Sequence, residues 1–307
     1  MPTQLLSRRQ ITEQWGPLLT GFEPAPAWHP SAAGMPAGAV TDDTEQAVLL
    51  GRLLLSGRVD PRELAMALIA WERDMAARGS LDLLGPSTRR AIEAVLTGTP
   101  PEEAGTSGDT NGAAMRIAPV GIATAVEDLP ALVAAVHEAS LVTHNTSVAL
   151  AGAAAVAAAV SAGVGGADVA AAISVAIEAA RLGAERGHWV AGADVAARIE
   201  WAAGLVAGKP AEEAAAVIYS LVGTSLATQE SVPAAFAVLS AVPGDPWRAC
   251  LLAASLGGDS DTIAAIVGAV GGACHGLAAF PPLAAGVIDA QGLGLRGLAD
   301  SLLALRA

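Results

Sequence analysis

The apolar half of this chain is built almost entirely from small side chains, and that limits it to helices packed very close together. Hydrophobic residues make up 53% of the 307 positions, yet aromatic residues make up only 3%. Alanine and glycine dominate the remainder, and small side chains let helix backbones approach. β-Branched and aromatic residues, which furnish pleated faces, are few and scattered. The stretch from Val148 to Gly166 is uncharged and has the length of a membrane span. It is almost entirely alanine, glycine and valine, and poor in the leucine, isoleucine and phenylalanine that drive insertion. A buried core helix and no membrane partner are therefore expected.

Punctuation along the chain divides it into helices. Residues 1–40 read as an irregular lead-in, broken by Pro24, Pro26, Pro30 and Pro36. Helices are predicted near 43–55, 60–77, 86–96, 127–140, 145–162, 166–187, 191–206, 210–221, 231–241, 246–256, 260–274 and 297–305. In the second of these Asp60 is the N-cap and Pro61 takes the first helical position. The turn-rich segment 97–111 is the longest interior loop. No repeat or proline-rich linker splits the chain, so the expectation is one all-α domain over residues 1–307. Small residues pack equally well within and between subunits, so composition leaves the oligomeric state open.

Charge and cysteine usage exclude several function classes. With 17 basic against 30 acidic residues the net charge is −13, and nothing supplies the cationic footprint of a nucleic-acid binder. Cys250 and Cys274 have no metal-ligand spacing and read as buried free thiols of a reducing compartment. The N-terminus lacks the apolar run of a secretory signal, so a cytoplasmic location is expected.

Two acidic clusters carry the chemistry. Thr41-Asp42-Asp43-Thr44-Glu45 precedes one helix, and Gly257-Gly258-Asp259-Ser260-Asp261-Thr262 precedes another. Each has a structural reading. Asp42 as N-cap with Glu45 three residues on makes a capping box, and the second cluster is also a helix entry. Together they have another reading, because each pairs two aspartates with a threonine hydroxyl. Hard cations such as Mg²⁺ take oxygen ligands, and four carboxylates in one place repel unless cations neutralise them. Two divalent ions would balance Asp42, Asp43, Asp259 and Asp261, and paired ions are a common catalytic arrangement. Spacing alone leaves open whether the clusters meet.

The chain resembles the ADP-ribosylglycohydrolase family, which includes the hydrolase acting on dinitrogen reductase. Gly38-Ala39-Val40-Thr41-Asp42-Asp43-Thr44 is similar to the family's first metal motif, and Gly257 to Gly268 to its second. Between them Asn111-Gly112-Ala113-Ala114-Met115-Arg116, then Ala118-Pro119 and Thr143-His144, resemble the ligand-loop region. The resemblance implies an orthogonal helical bundle and a binuclear centre of Mg²⁺ or Mn²⁺ held by Thr41, Asp42, Asp43, Asp259, Asp261 and Thr262. It implies hydrolysis of the bond joining ADP-ribose to a protein side chain or small acceptor. Asn111, Gly112 and His144 would bind the substrate. For His144 a satisfied structural histidine is the other reading, and Arg116 stands between an anion contact and a structural ion pair.

One departure concerns the start of the chain. The family opens with a helix ending in Gly-Asp, then a glutamate tied to the metal and the catalytic water. That helix is absent here, as in a late-assigned start or a natural shortening, and Gln4 falls where the glutamate is expected. The catalytic positions are therefore Gln4 and Asp43, the carboxylate that remains to act as a base. Glutamine is no useful base, so the readings are an ADP-ribosyl hydrolase, a hydrolase of another N-ribosyl compound, or a protein that binds ADP-ribose with weak or no hydrolysis.

Overall fold

The computed structural model describes residues 2–77 and 84–306, so Met1 lies outside the described residues. In chain order the first helices are α1 Arg8–Trp15, α2 Asp42–Leu54, α3 Pro61–Ala77, α4 Pro86–Leu96, α5 Pro101–Ala104, α6 Gly112–Arg116, α7 Ala118–Ala123 and α8 Leu129–His144. They continue as α9 Ser147–Val164, α10 Val169–Ala184, α11 Val195–Val206, α12 Ala211–Val217, α13 Thr228–Ala241, α14 Pro246–Ala254, α15 Ser260–His275, α16 Pro282–Asp289 and α17 Leu295–Leu303. Among the described residues strand-like pairing is confined to two isolated bridges, Thr110 with Ala227 and Thr146 with His188. The fold is all-α.

Helix starts follow local chemistry. Asp128, Asp168, Asp194 and Asp245 each accept a hydrogen bond from the amide three residues on, which opens α8, α10, α11 and α14. Three corrections follow from the same accounting. The lead-in is not wholly irregular, because Ser7 and Gln10 form a reciprocal capping box that starts α1, with Ile11 buried beneath it. The 97–111 segment holds the short helix α5, entered through Pro100-Pro101. Helix α16, not expected from the sequence, begins at Pro282, in the first-turn position where proline fits.

Helix α9 is the centre of the packing. By length and composition it is apolar enough to cross a membrane, but 89% of it is buried among neighbouring helices. Glycines let those neighbours come close. At Gly183 of α10 a Cβ would sit 2.6 Å from the Leu150 carbonyl oxygen and 2.9 Å from the Ala154 Cβ. At Gly163 of α9 it would sit 2.8 Å from the Cys274 backbone nitrogen, on α15. Backbone-to-backbone contact of this kind leaves no flexible side chain to give way. Larger side chains such as Phe236, Leu132 and Ile117 belong to the same core, and all are fully buried.

This packing predicts opposite outcomes at two helical glycines. Gly183→Val forces α10 off α9 and should destabilise the protein by about 1–3 kcal/mol, the usual range for overpacking. Gly204→Ala on α11 meets open space, and should stabilise by up to about 1 kcal/mol through helix propensity. Urea unfolding checks both; equal effects would show that α10 does not depend on close approach.

Candidate metal centre

The N-termini of α2 and α15 bring the two acidic clusters together from opposite ends of the chain. Asp42 and Asp43 open α2, and Asp261 lies in the first turn of α15. One carboxylate oxygen from each of these three lies within 4.8 Å of the others, and all three residues are buried. Two helix N-termini supply partial positive charge that favours anions here.

Capping does not account for either cluster. The N-cap of α2 is Thr41 rather than Asp42, and its hydroxyl donates to Asp43 Oδ2 at 2.8 Å instead of capping the helix. Glu45 closes no capping box; it accepts from Trp71 Nε1 at 2.6 Å. Asp259 occupies the N-cap position of α15 without a side-chain cap bond. Its Oδ2 accepts from Asn111 Nδ2. Elsewhere in this chain aspartates at helix starts do cap, so these two clusters are arranged differently.

Asp261 carries the clearest electrostatic signature. Burial, then the carboxylates of Asp43, Asp259 and Asp42, push its pKa well above the usual carboxylate range. Its Oδ1 is buried and has no hydrogen-bond partner among the described residues. Carboxylate oxygens and threonine hydroxyls make up the donor set, which suits a hard divalent cation. Thr262 is buried beside Asp261 on the first turn of α15. A cavity of about 520 Å³ reaches this place; Thr41, Asp43 and Asp261 line its acidic end, and Leu19, Phe22, Trp247 and Phe280 its apolar walls. Asp42, Asp259, Thr262, Gln4, Asn111, Gly112 and His144 do not line it.

The remaining predicted residues sit around the cluster. Asn111 is joined to Asp259, and its Nδ2 also donates to Ser231 Oγ at 3.0 Å. Gly112 lies against His144, so that a Cβ would come 2.8 Å from the ring's Cε1. His144 is fully buried at the end of α8, with Nδ1 at 2.7 Å from Thr143 Oγ1 and Nε2 at 3.1 Å from Thr110 Oγ1. Burial, then the charges of Arg116 and Arg90, hold its pKa well below the usual value, so the ring is neutral. Gln4 is buried, and its Oε1 accepts from Ser31 Oγ at 3.2 Å. Its neighbours are fastened to the second cluster: Leu5 N donates to Gly258 O at 2.7 Å and Ser260 Oγ to Thr3 Oγ1 at 3.1 Å.

Two buried residues stand behind Asp42: Gln46, which the sequence reading missed, and Arg116, which it left between an anion contact and a structural ion pair. Gln46 Nε2 donates to Asp42 Oδ2 at 3.4 Å, and Arg116 Nη1 donates to Gln46 Oε1 at 3.2 Å. Arg116 Nη2 donates to Thr143 Oγ1. Burial pulls the Arg116 pKa down to about 10 while Asp42 draws it back, so the guanidinium stays charged at neutral pH. The i,i+4 spacing of Asp42 and Gln46 was visible in the sequence. Nothing in it pointed to Arg116 as the next partner.

The chain is similar to known proteins over most of its length. The sequence model of the ADP-ribosylglycohydrolase family matches residues 1–307. The uncharacterized protein YegU of Escherichia coli (strain K12) is 33% identical over 94% of this chain and 87% of its own length. An uncharacterized protein of Archaeoglobus fulgidus is 32% identical over 89% of this chain and 82% of its own. A solved structure described as an ADP-ribosylglycohydrolase-related protein complex superposes with a TM-score of 0.67 at 25% identity, covering 91% of this chain and 89% of that one.

Repulsion at Asp261 makes a signed prediction for the metal-free protein. Because folding raises this pKa, protonated Asp261 stabilises the folded chain in acid, and the contribution is lost as pH rises through the raised value. In chelator, the melting temperature should therefore fall as pH climbs above the carboxylate range, and Asp261→Asn should flatten that fall. Added Mn²⁺ should stabilise the parent and not the variant. A variant whose melting in chelator keeps the parent's pH dependence would contradict the repulsion.

Proposed function

This chain belongs to the ADP-ribosylglycohydrolase family, and from that premise we propose that it hydrolyses the glycosidic bond joining ADP-ribose to a protein side chain or small acceptor. The observation that carries the proposal is the buried convergence of Asp42, Asp43 and Asp261 at two helix starts.

Asp42, Asp43, Asp259 and Asp261, with the hydroxyls of Thr41 and Thr262, would hold Mg²⁺ or Mn²⁺, two ions balancing four carboxylates. Bound there, such ions supply Lewis-acid character, grip ribose hydroxyls and lower the pKa of water toward neutrality. Thr41 orients Asp43 by donating to its Oδ2. Asn111 holds Asp259 and is the N-cap residue of α6, whose first residue is Gly112. His144 packs against the start of α6 at Gly112 as a neutral ring. Burial raises the Cys250 thiol to about 12 and Cys274 in the same direction, and inert free thiols suit a cytoplasmic protein.

Gln4 favours a second reading, in which ADP-ribose is bound with little hydrolysis. Its amide can offer an oxygen but takes up no proton from water. Asp43 is then the carboxylate left to serve as base. Hydrolysis of another N-ribosyl compound would use the same grip on ribose hydroxyls.

Turnover of ADP-ribosylated peptides, measured beside calorimetry with ADP-ribose, separates these readings. The native chain should bind ADP-ribose in the presence of Mg²⁺ and hydrolyse slowly. Gln4→Glu should raise turnover at least about tenfold, below or within the range of about 10²–10⁴ typical of general-base help. Brisk hydrolysis by the native chain, or no gain on substitution in a folded variant, would remove position 4 from the catalytic account. Absence of ADP-ribose binding would overturn the substrate assignment.

A further inference from the structure

We infer that Gln46 and Arg116 are positioning residues that set the carboxylate of Asp42 for metal binding, an inference that rests on the metal reading above. The starting point is the cost of burying Arg116. Its side chain is 1% exposed, and a guanidinium removed from water is destabilising even when well paired. Its hydrogen bonds go to two neutral oxygens, Gln46 Oε1 and Thr143 Oγ1, and its Nε has no hydrogen-bond partner among the described residues. Simple packing would be served better by an apolar side chain of similar volume.

What the arginine does is dictate the orientation of Gln46. Guanidinium groups only donate, so the glutamine must present its carbonyl oxygen to Arg116. Its Nε2 is thereby turned the other way, toward Asp42 Oδ2. Position 46 lies one helical turn below position 42 on α2, which is the spacing that lets the two side chains meet. With Oδ2 held, the Asp42 carboxylate is no longer free to rotate, and the site is set before a cation arrives.

The far side of the guanidinium is fixed as well. Thr143 accepts from Arg116, so its own hydroxyl proton is available to the neutral His144 at Nδ1. That leaves the Nε2 proton of His144 for Thr110 Oγ1. Thr110 is followed by Asn111, which donates to Asp259. Hydrogen bonds therefore run from Asp42 through Gln46, Arg116, Thr143 and His144 to Thr110, whose chain neighbour Asn111 holds Asp259 of the second cluster. Gln46 is the link that touches Asp42.

Positioning and plain charge make opposite predictions. A buried positive charge near the site repels a cation, so if charge were all, removing Arg116 would tighten metal binding. If Arg116 acts through Gln46, removing either residue weakens it. Calorimetric titration of Mn²⁺ into the full chain and into Gln46→Met, Arg116→Met and Arg116→Lys decides the matter. Loss of such an outer partner typically weakens a metal site by about 10–100-fold. Gln46→Met and Arg116→Met should fall in that range, with Arg116→Lys between them and the parent. Melting in chelator shows which variants fold, and Gln46→Met keeps the test if Arg116→Met does not. Unchanged or tighter Mn²⁺ binding by a folded Gln46→Met, with the parent binding normally, would overturn the positioning role alone. A parent that binds no Mn²⁺ would overturn the metal reading and this inference with it.

Discussion

Mutual repulsion among buried carboxylates is the constraint around which this structure is organised. Two unit charges about 4 Å apart repel by about 4 kcal/mol at an effective dielectric of about 20, and Asp42, Asp43 and Asp261 approach to within 4.8 Å. Nearly every polar feature nearby opposes that repulsion. The starts of α2 and α15 present their helix dipoles, Thr41 donates to Asp43, Gln46 to Asp42 and Asn111 to Asp259. The buried charge of Arg116 also acts on Asp42. Compensation is least at Asp261, whose Oδ1 has no partner among the described residues and whose pKa is raised by burial and then by the neighbouring carboxylates. A divalent cation is the natural completion of such an arrangement.

Holding charges together against that force requires a stiff scaffold, and the small-residue composition provides one. Helix α15 is seated on α9 where Gly163 meets the backbone at Cys274, and α10 is seated on the same helix through Gly183. Contacts between backbones cannot relax by rotamer changes, so helix positions are defined more tightly than an ordinary leucine core would define them. The scarcity of aromatic residues and the placement of the acidic groups are thus connected: one makes the other tolerable.

Much of this was legible in the sequence, and the rest was hidden for identifiable reasons. Helices α8, α10, α11 and α14 announce themselves through Asp128, Asp168, Asp194 and Asp245, because capping is local chemistry. The paired aspartates with adjacent threonines pointed to a shared site, and Asp42, Asp43 and Asp261 do converge. Helix α1 was masked by the prolines that follow it, although Ser7 and Gln10 spell out its capping box. Glu45 misled as a capping residue because its carboxylate accepts from Trp71, on another helix. The burial of His144 and the Arg116–Gln46 bond depend on helices meeting in space, and no spacing along the chain encodes that.

The account stands or falls on whether a cation sits among Asp42, Asp43 and Asp261. Anomalous diffraction at the manganese edge, from crystals grown with Mn²⁺, answers this without any assumption about substrate. The predicted result is an anomalous peak bounded by oxygens of all three residues, with Asp261 Oδ1 engaged. Absence of a peak there, with the three carboxylates held together by shared protons instead, would contradict the claim that this fold is built around a metal.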